Sequence, residues 1–334
     1  MDDTHISLAH GNGGRFMREL IEEIFQQHLY SSDVNTQVDA MSLSWAHEHI
    51  VMSTDGFTVQ PLEFSGGDIG SLAVHGTVND LAVTGARPHY LTLNVFIEEG
   101  FEIARLENIV QSLARAATDA GVSVVAGDTK VLNRGEGGGL YLATTGVGAR
   151  DRDLDLGMHR IQAGDKILVS GEVGNHGIAV MLAREQFGLR GDICSDSACV
   201  LPLTTALLPL EGLRFMRDPT RGGLATVMHE LCAATPYGVQ IEQTAVPIAD
   251  SVQTVCDMLG YDPYYLACEG RVVAVVAADE ADAALAHWQA LPDGKNAAII
   301  GTVSAETQQV ILCTELGGER FLQELEDDPL PRIC

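Results

Sequence analysis

Gly76-Thr77-Val78-Asn79-Asp80 is the stretch on which the fold turns. It lies inside a run whose apolar residues, Ile69, Leu72, Ala73, Val78, Leu81 and Ala82, have the spacing of a buried helix, entered from Gly66-Gly67-Asp68. Two adjacent polar side chains in such a helix are costly to bury unless they find partners, so Asn79 and Asp80 either meet a ligand or metal or serve a cap or core network. Upstream, Ile50-Val51-Met52-Ser53-Thr54 reads as a strand that delivers Asp55 and Gly56 at its carboxyl end, where ligands sit in α/β folds. Downstream, Tyr90 to Phe96 reads as a strand and the run through Ile103, Leu106, Ile109, Val110, Leu113 and Ala117 as a helix. A second strand, Val122 to Ala126, is read as ending in Gly127-Asp128-Thr129-Lys130. The glycine-rich loop Gly135 to Gly139 and a strand from Tyr141 to Val147 complete an α/β (α+β) first half.

Asp55, Asp80 and Asp128 thus fall at or beside element ends. Such a set suits Mg²⁺, which takes a few carboxylates and leaves its other positions to phosphate and water. Near the N-terminus, Leu8-Ala9-His10-Gly11-Asn12-Gly13-Gly14 opens onto a helical pattern with Phe16, Leu20, Ile21, Ile24, Phe25 and Leu29 on one face. Gly11, Gly13 and Gly14 either cradle phosphate with free N–H groups or simply lead into that helix. With the three aspartates they favour a Mg-nucleotide site.

The charged stretch from Arg150 to Leu156 marks a boundary, giving residues 1–150, 156–314 and a tail 315–334. The second half starts again with a strand at Lys166 to Ser170, then Gly174-Asn175-His176-Gly177 and a helix. Asp218-Pro219-Thr220-Arg221-Gly222-Gly223 repeats the pattern of a polar glycine turn feeding a helix. Arg221 opposes the helix dipole there, which phosphate binding explains better than capping. His176 reads as a cap or turn residue, with base catalysis the alternative. Glu269 stands between apolar Leu266-Ala267-Cys268 and a β-branched strand, a setting that raises a carboxyl pKa toward acid or base duty, unless it pairs with Arg271.

In composition, 334 residues with 46% hydrophobic and 20% charged residues describe an ordinary two-domain globular chain. Lys+Arg 20 against Asp+Glu 46 leaves a formal charge of −26, which repels nucleic acid and anionic lipid. No apolar run has the length of a membrane span and Met1 to His5 lacks a basic leader, so a cytoplasmic location is expected. The seven cysteines show no metal-ligand or disulfide pattern. Cys334 closes the chain after the acidic run Glu324-Leu325-Glu326-Asp327-Asp328, which predicts a solvated, extended, mobile end carrying either a reactive thiol or an incidental cysteine. Ten extended residues span about 33 Å, enough to swing that thiol to a distant site.

Together with Ser53-Thr54-Asp55, Glu269-Gly270 and the closing Pro331-Arg332-Ile333-Cys334, these motifs resemble the HypE family of hydrogenase-maturation factors, within the PurM-like ATP-binding superfamily of aminoimidazole ribonucleotide synthetase. The likeness runs through the whole chain in order, with two departures: Cys268 and Arg271 flank the Glu-Gly pair where Asn and Lys are frequent, and Pro219 stands where Ala is common. The resemblance implies a two-domain fold with a mixed N-terminal sheet closing a barrel in a homodimer, a ferredoxin-like C-terminal α/β domain and a flexible tail. It implies ATP and Mg²⁺ at Asp55, Asn79, Asp80 and Asp128, with Gly67, Gly127, Thr129 and Arg221 in the same motifs. It further implies that a carbamoyltransferase, HypF, loads a carbamoyl group on Cys334, that the group is dehydrated to a thiocyanate, and that the cyano group passes to a HypC–HypD complex for the NiFe-hydrogenase iron.

The chemistry fits the residue types. Expelling oxygen from a carboxamide needs its phosphorylation, hence ATP. Loss of two N–H protons needs a base, for which Glu269 is the candidate with Lys130 as relay. A small-molecule kinase or synthetase of the same superfamily, or a nucleotide-binding scaffold, would share the aspartates. The kinase or synthetase has no use for a terminal thiol, whereas the scaffold would dock partners through its mobile tail.

Overall fold

The structure, a computed structural model, describes residues 4–11, 15–29, 49–184, 191–325, 330 and 332–334. The N-terminal helical segment comprises α1 (Arg15–Leu20) and α2 (Gln27–Leu29) with a π-helical turn between them. Next come β1 (His49–Phe57), the two-residue strands β2 (Glu63–Phe64) and β3 (Gly67–Asp68), and α3 (Ile69–Val83). The first half closes with β4 (Arg87–Glu98), α4 (Ile103–Ala120), β5 (Ser123–Leu132) and β6 (Leu140–Arg150).

The N-terminus of α3 is fixed by Asp68, whose carboxylate accepts from Gly70 N–H at 2.8 Å and Ser71 N–H at 2.9 Å while the Ser71 hydroxyl accepts from Asp68 N–H. The helix is apolar nearly all round, and it is buried nearly all round. By contrast α4 carries one apolar stripe, Ile103, Leu106, Ile109, Val110, Leu113 and Ala117, and ends at Gly121 in the left-handed region, φ 69°.

The sheet order β1-β6-β4-β5 is antiparallel except for the β4–β5 pair. Its inward residues Leu91, Leu93, Val95 and Ile97 are buried in the same apolar cluster as residues of α3 and α4. The opposite face is open, with Ile50 56%, Met52 64% and Phe96 38% exposed. A lone sheet that leaves large apolar side chains on one face has a surface fit for covering.

The second half contains β7 (Lys166–Val169), α5 (Asn175–Ala183), α6 (Leu201–Leu207), β8 (Leu213–Arg217), α7 (Gly223–Ala234), β9 (Gly238–Glu242), α8 (Asp250–Leu259), β10 (Val273–Val276), α9 (Ala281–Gln289), β11 (Ala298–Ser304), β12 (Val310–Cys313) and β13 (Glu319–Phe321). These strands form a sheet in the order β13-β12-β9-β11-β7-β10-β8. One apolar cluster gathers sheet residues with Leu224, Met228 and Leu231 of α7, and another gathers Leu168, Ala274 and Val276 with Leu203 of α6 and Trp288 of α9. Helices thus cover both faces, and the strand β7–β10 pair is apolar on both sides as that burial requires. Among the described residues, no helix is long and apolar enough to cross a membrane.

Two sequence expectations change here. β5 does not stop at Ala126 but runs to Leu132, so Asp128 lies within the strand. Gly127 marks a close approach instead of an end: a Cβ there would lie 2.4 Å from the Leu93 carbonyl oxygen. The end of the chain is not solvated either, because Leu330 and Ile333 are 3% and 2% exposed and join the first-half core, with Cys334 packed beside them.

Candidate active site

Strand parity decides which aspartates can meet. Asp55 pairs with Thr144, Thr144 with Leu93 and Leu93 with Gly127, so this row of residues shares the face that packs on α3. Asp128 belongs to the neighbouring row, opposite Asn94, and its side chain is 50% exposed on the open face, paired with Lys130 at 2.8 Å. Asp128 and Lys130 are therefore separated from Asp55 and Asp80 by the sheet itself and by about 14 Å, three strand spacings. The expected trio of metal ligands, Asp55, Asp80 and Asp128, is not assembled within one chain, and no group of three or more metal-ligating side chains is set to hold an ion among the described residues. Thr129, on the alternate face from Asp128, is buried, and its N–H donates to the Asp128 carboxylate at 2.9 Å.

What does converge is Asp55, Asp80, Asp218 and Glu269. Ser53, two residues before Asp55 on the same face of β1, donates to the Asp80 carboxylate at 2.6 Å, which ties β1 to α3. Burial pushes Asp80 up, the Ser53 bond opposes that, and Asp55 adds repulsion. Burial, then the charge of Asp80, raises Asp218 to about 7. Glu269 is buried and held well above the usual carboxyl range, first by burial and then by Asp218, Asp196, Asp55 and Asp80. Its Oε1 has no hydrogen-bond partner among the described residues.

Mutual repulsion among buried carboxyls is what a divalent cation removes. Asp55, Asp80 and Asp218 do not form a ready-made cage, but by charge they are the oxygen donors that a Mg²⁺ arriving with phosphate oxygens would draw on, and the unpartnered oxygen of Glu269 is left for a proton. Arg221 stands at the edge, 3.9 Å from Asp55 and 67% exposed, as a cation available to an anionic ligand.

Other sequence candidates take different places. Asn79 is buried and its amide is fully engaged by backbone: Nδ2 donates to the carbonyls of Ala198 at 2.9 Å and Glu269 at 3.1 Å, and Oδ1 accepts from Val200 N–H at 2.9 Å. It clamps the Glu269 loop to α3, the network role, where a ligand contact had been expected. Glu269 does not pair with Arg271, which sits 3.7 Å from Asp196 and donates to the Glu172 carbonyl. Cys268 accepts from Gly174 N–H, and burial pushes its thiol up, which makes it inert. Gly67 lies in β3, beside the cap of α3, and Gly11 closes a short 3₁₀ turn at Leu8–Gly11. Gly13 and Gly14 lie outside the described residues.

Asp218 and Asp196 are the additions that the sequence did not single out as site residues. Asp218 stood in a glycine turn and Asp196 in a stretch without periodicity, and only the folded chain brings them to Glu269.

Asp218 supplies a test. Its native pKa of about 7 exceeds the ordinary 3.8, so the folded chain binds this proton more tightly and stability falls as pH rises from about 4 to about 7. Asp218→Asn is expected to recover roughly 2–4 kcal/mol at pH 8 and little at pH 4, read from thermal melts without metal.

The end of the chain docks close by. Thr58 and Gln60 N–H donate to the carbonyls of Cys334 and Arg332, each at 3.0 Å, as a short antiparallel extension just past β1. Thr58 is three residues beyond Asp55, so the backbone that receives the docked end lies about 10 Å along the chain from the residue bearing that carboxylate.

The chain matches the family model of AIR synthase related proteins over both its parts, the N-terminal domain at residues 37–149 and the C-terminal domain at 162–313. Carbamoyl dehydratase HypE of Azotobacter vinelandii is 43% identical over 331 residues, 98% of this chain and 97% of that protein. The chain belongs to the HypE family. A solved HypE in complex with ATP superposes with a TM-score of 0.93 at 42% identity, covering 98% of this chain and 99% of that one. A HypE–HypF complex contains a chain that matches with a TM-score of 0.81 at 40% identity over 92% of this chain and 99% of its own. The fold described above is accordingly the PurM-like one of HypE proteins.

Proposed function

We propose that the chain converts a carboxamide carried on the sulfur of Cys334 into a thiocyanate, using ATP and Mg²⁺. The observation that carries this reading is the docking of the chain's own end on Thr58 and Gln60, just past the strand that bears Asp55, in a chain that also holds a buried carboxyl with an unpartnered oxygen at Glu269. It agrees with the name of the carbamoyl dehydratases that this chain resembles and with the nucleotide in a solved relative.

In the reaction the C–O bond of the carboxamide breaks, two N–H protons leave and the C≡N bond forms, with the oxygen departing on phosphate. Bound ATP and Mg²⁺ supply the phosphoryl group that turns this oxygen into a leaving group. Glu269 takes one nitrogen proton on its unpartnered Oε1, and the departing phosphate carries away the other. Asp55, Asp80 and Asp218 would hold the cation, and its charge would lower the carboxyl pKa values around it, Glu269 included. Arg221 faces the phosphates. Docking of the tail makes the encounter intramolecular.

Two copies pairing through the open sheet face cover Ile50, Met52 and Phe96 and place Asp128 and Lys130 at the seam, a homodimer as the superfamily resemblance implies. A solved HypE–HypF complex supports HypF as a partner, which by the family resemblance is the carbamoyltransferase that loads the tail. A HypC–HypD complex is the acceptor of the cyano group, in the cytoplasm.

Rapid mixing of carbamoyl-loaded protein with ATP tests the enzyme against a passive nucleotide-binding scaffold. One phosphate released per loaded tail, and none from unloaded protein, is the expected result. ATP that stays intact in the presence of the loaded tail contradicts it.

A further inference from the structure

His176 is a fully buried histidine with both ring nitrogens engaged, and the mechanism above leaves it without a task. Ser195 Oγ already accepts from Ser197 N–H at 3.0 Å, so its own hydrogen is free to point at His176 Nδ1, 2.8 Å away. That leaves the ring hydrogen on Nε2, which donates to the carbonyl of Ile333 at 2.6 Å. Burial holds the ring in this neutral form. Phe64 meets the ring edge at a centroid distance of 5.3 Å and fixes its plane.

Arg184 grips the tail from the other side: Nη2 donates to the Arg332 carbonyl and Nε to the Gln60 carbonyl, both at 2.8 Å. With Thr58 on Cys334, the carbonyls of residues 332, 333 and 334 are each read in turn. Arg332 adopts φ 59°, a left-handed backbone that a non-glycine residue holds only against such fixed partners. A dock that reads successive carbonyls sets register, and a slip of one residue would turn the Cys334 sulfur to the opposite side.

The same histidine reaches the catalytic loop. Its backbone N–H donates to one oxygen of the Asp196 carboxylate at 3.0 Å, and Gly270 N–H, next to Glu269, donates to the other at 3.1 Å. Residue 270 must be glycine, because a Cβ would lie 1.8 Å from the Asp196 carbonyl oxygen.

We propose that His176 and Arg184 form a latch that sets the register of Cys334 in the dock, and that Asp196 couples this latch to the Glu269 loop. They are positioning residues, and the proposal rests on the reading of the tail as substrate only for its catalytic arm.

The test is the rate at which iodoacetamide alkylates each cysteine of the full-length protein, followed by peptide mass mapping. His176→Phe keeps a ring against Phe64 and removes the donor; His176→Gln keeps an N–H. Cys334 is expected to react about tenfold faster in His176→Phe, the change that loss of one buried hydrogen bond makes to an opening equilibrium, while His176→Gln stays within about threefold of wild type. Buried Cys232, Cys256 and Cys268 stay protected in each. In loaded protein, kcat for water loss falls in His176→Phe with KM for ATP unchanged.

If His176→Phe also exposes the buried thiols, Arg184→Ala decides, with a several-fold rise at Cys334 alone expected. Wild-type reactivity of Cys334 in a folded His176→Phe or in Arg184→Ala overturns the latch. Faster alkylation in protein that never loses water from its tail overturns the proposed reaction and leaves the latch standing.

Discussion

Cys334→Ala is expected to abolish carbamoyl loading and ATP-driven loss of water together, to below detection, while the protein keeps its fold. The partly buried thiol packs at the rim of the core, so its truncation should change stability by no more than about 1 kcal/mol. Activity and stability therefore separate cleanly, the first read by mass and phosphate release, the second by thermal melt. Serine should not rescue, because a hydroxyl has none of the thiol's readiness to ionise near neutral pH. Retention of turnover in the alanine variant would move the carrier to another residue.

Glu269→Gln is expected to slow water loss from a loaded tail by about 10²–10⁴-fold, the range for removal of a positioned general base, with ATP binding little altered. The amide is nearly the same shape, and the backbone carbonyl of residue 269 that Asn79 grips is untouched. Burial and the four acidic neighbours hold the Glu269 carboxyl well above the usual carboxyl range and a bound cation lowers it again, so the wild-type rate should climb with pH through the titration of this one group, and the residual rate of the glutamine variant should be flat. Stability carries the opposite sign. The folded state holds this proton more tightly than the unfolded one, so wild type loses stability as pH rises above the ordinary carboxyl range, and Glu269→Gln is relieved of that loss. Full-speed dehydration by the variant at any pH would remove Glu269 from the base role.

How far such a site can be read from sequence is set by which interactions are local. The helix through Ile69, Leu72 and Leu81 and its entry from Gly66-Gly67-Asp68 were legible because helix periodicity acts over a few residues. Strands were legible where apolar runs were long, as at Tyr90 to Phe96, but not at Gly238–Glu242, whose burial depends on neighbouring strands distant in sequence. Asp128 was misplaced for a reason of parity. Grouping it with Asp55 and Asp80 required knowing that β5 continues past Gly127 and which of its faces pairs with which row, and both facts come from the β4 register. Asn79 was legible as a buried polar group in need of partners, but those partners are backbone groups more than a hundred residues away, so the sequence left ligand and network open. The tail was misread because its acidic residues favour water, whereas two apolar residues and a row of carbonyl partners hold its end.

The central claim is that the end of the chain is itself the substrate. Intact-mass spectrometry tests it most directly: incubate the protein with a carbamoyl-donating system, then add ATP and Mg²⁺, and map the change to a peptide. The account predicts the gain of one carbamoyl group on the peptide ending in Ile333-Cys334, followed by loss of one water from that same peptide. A carbamoyl group that persists through ATP turnover, or one carried elsewhere in the chain, would contradict it.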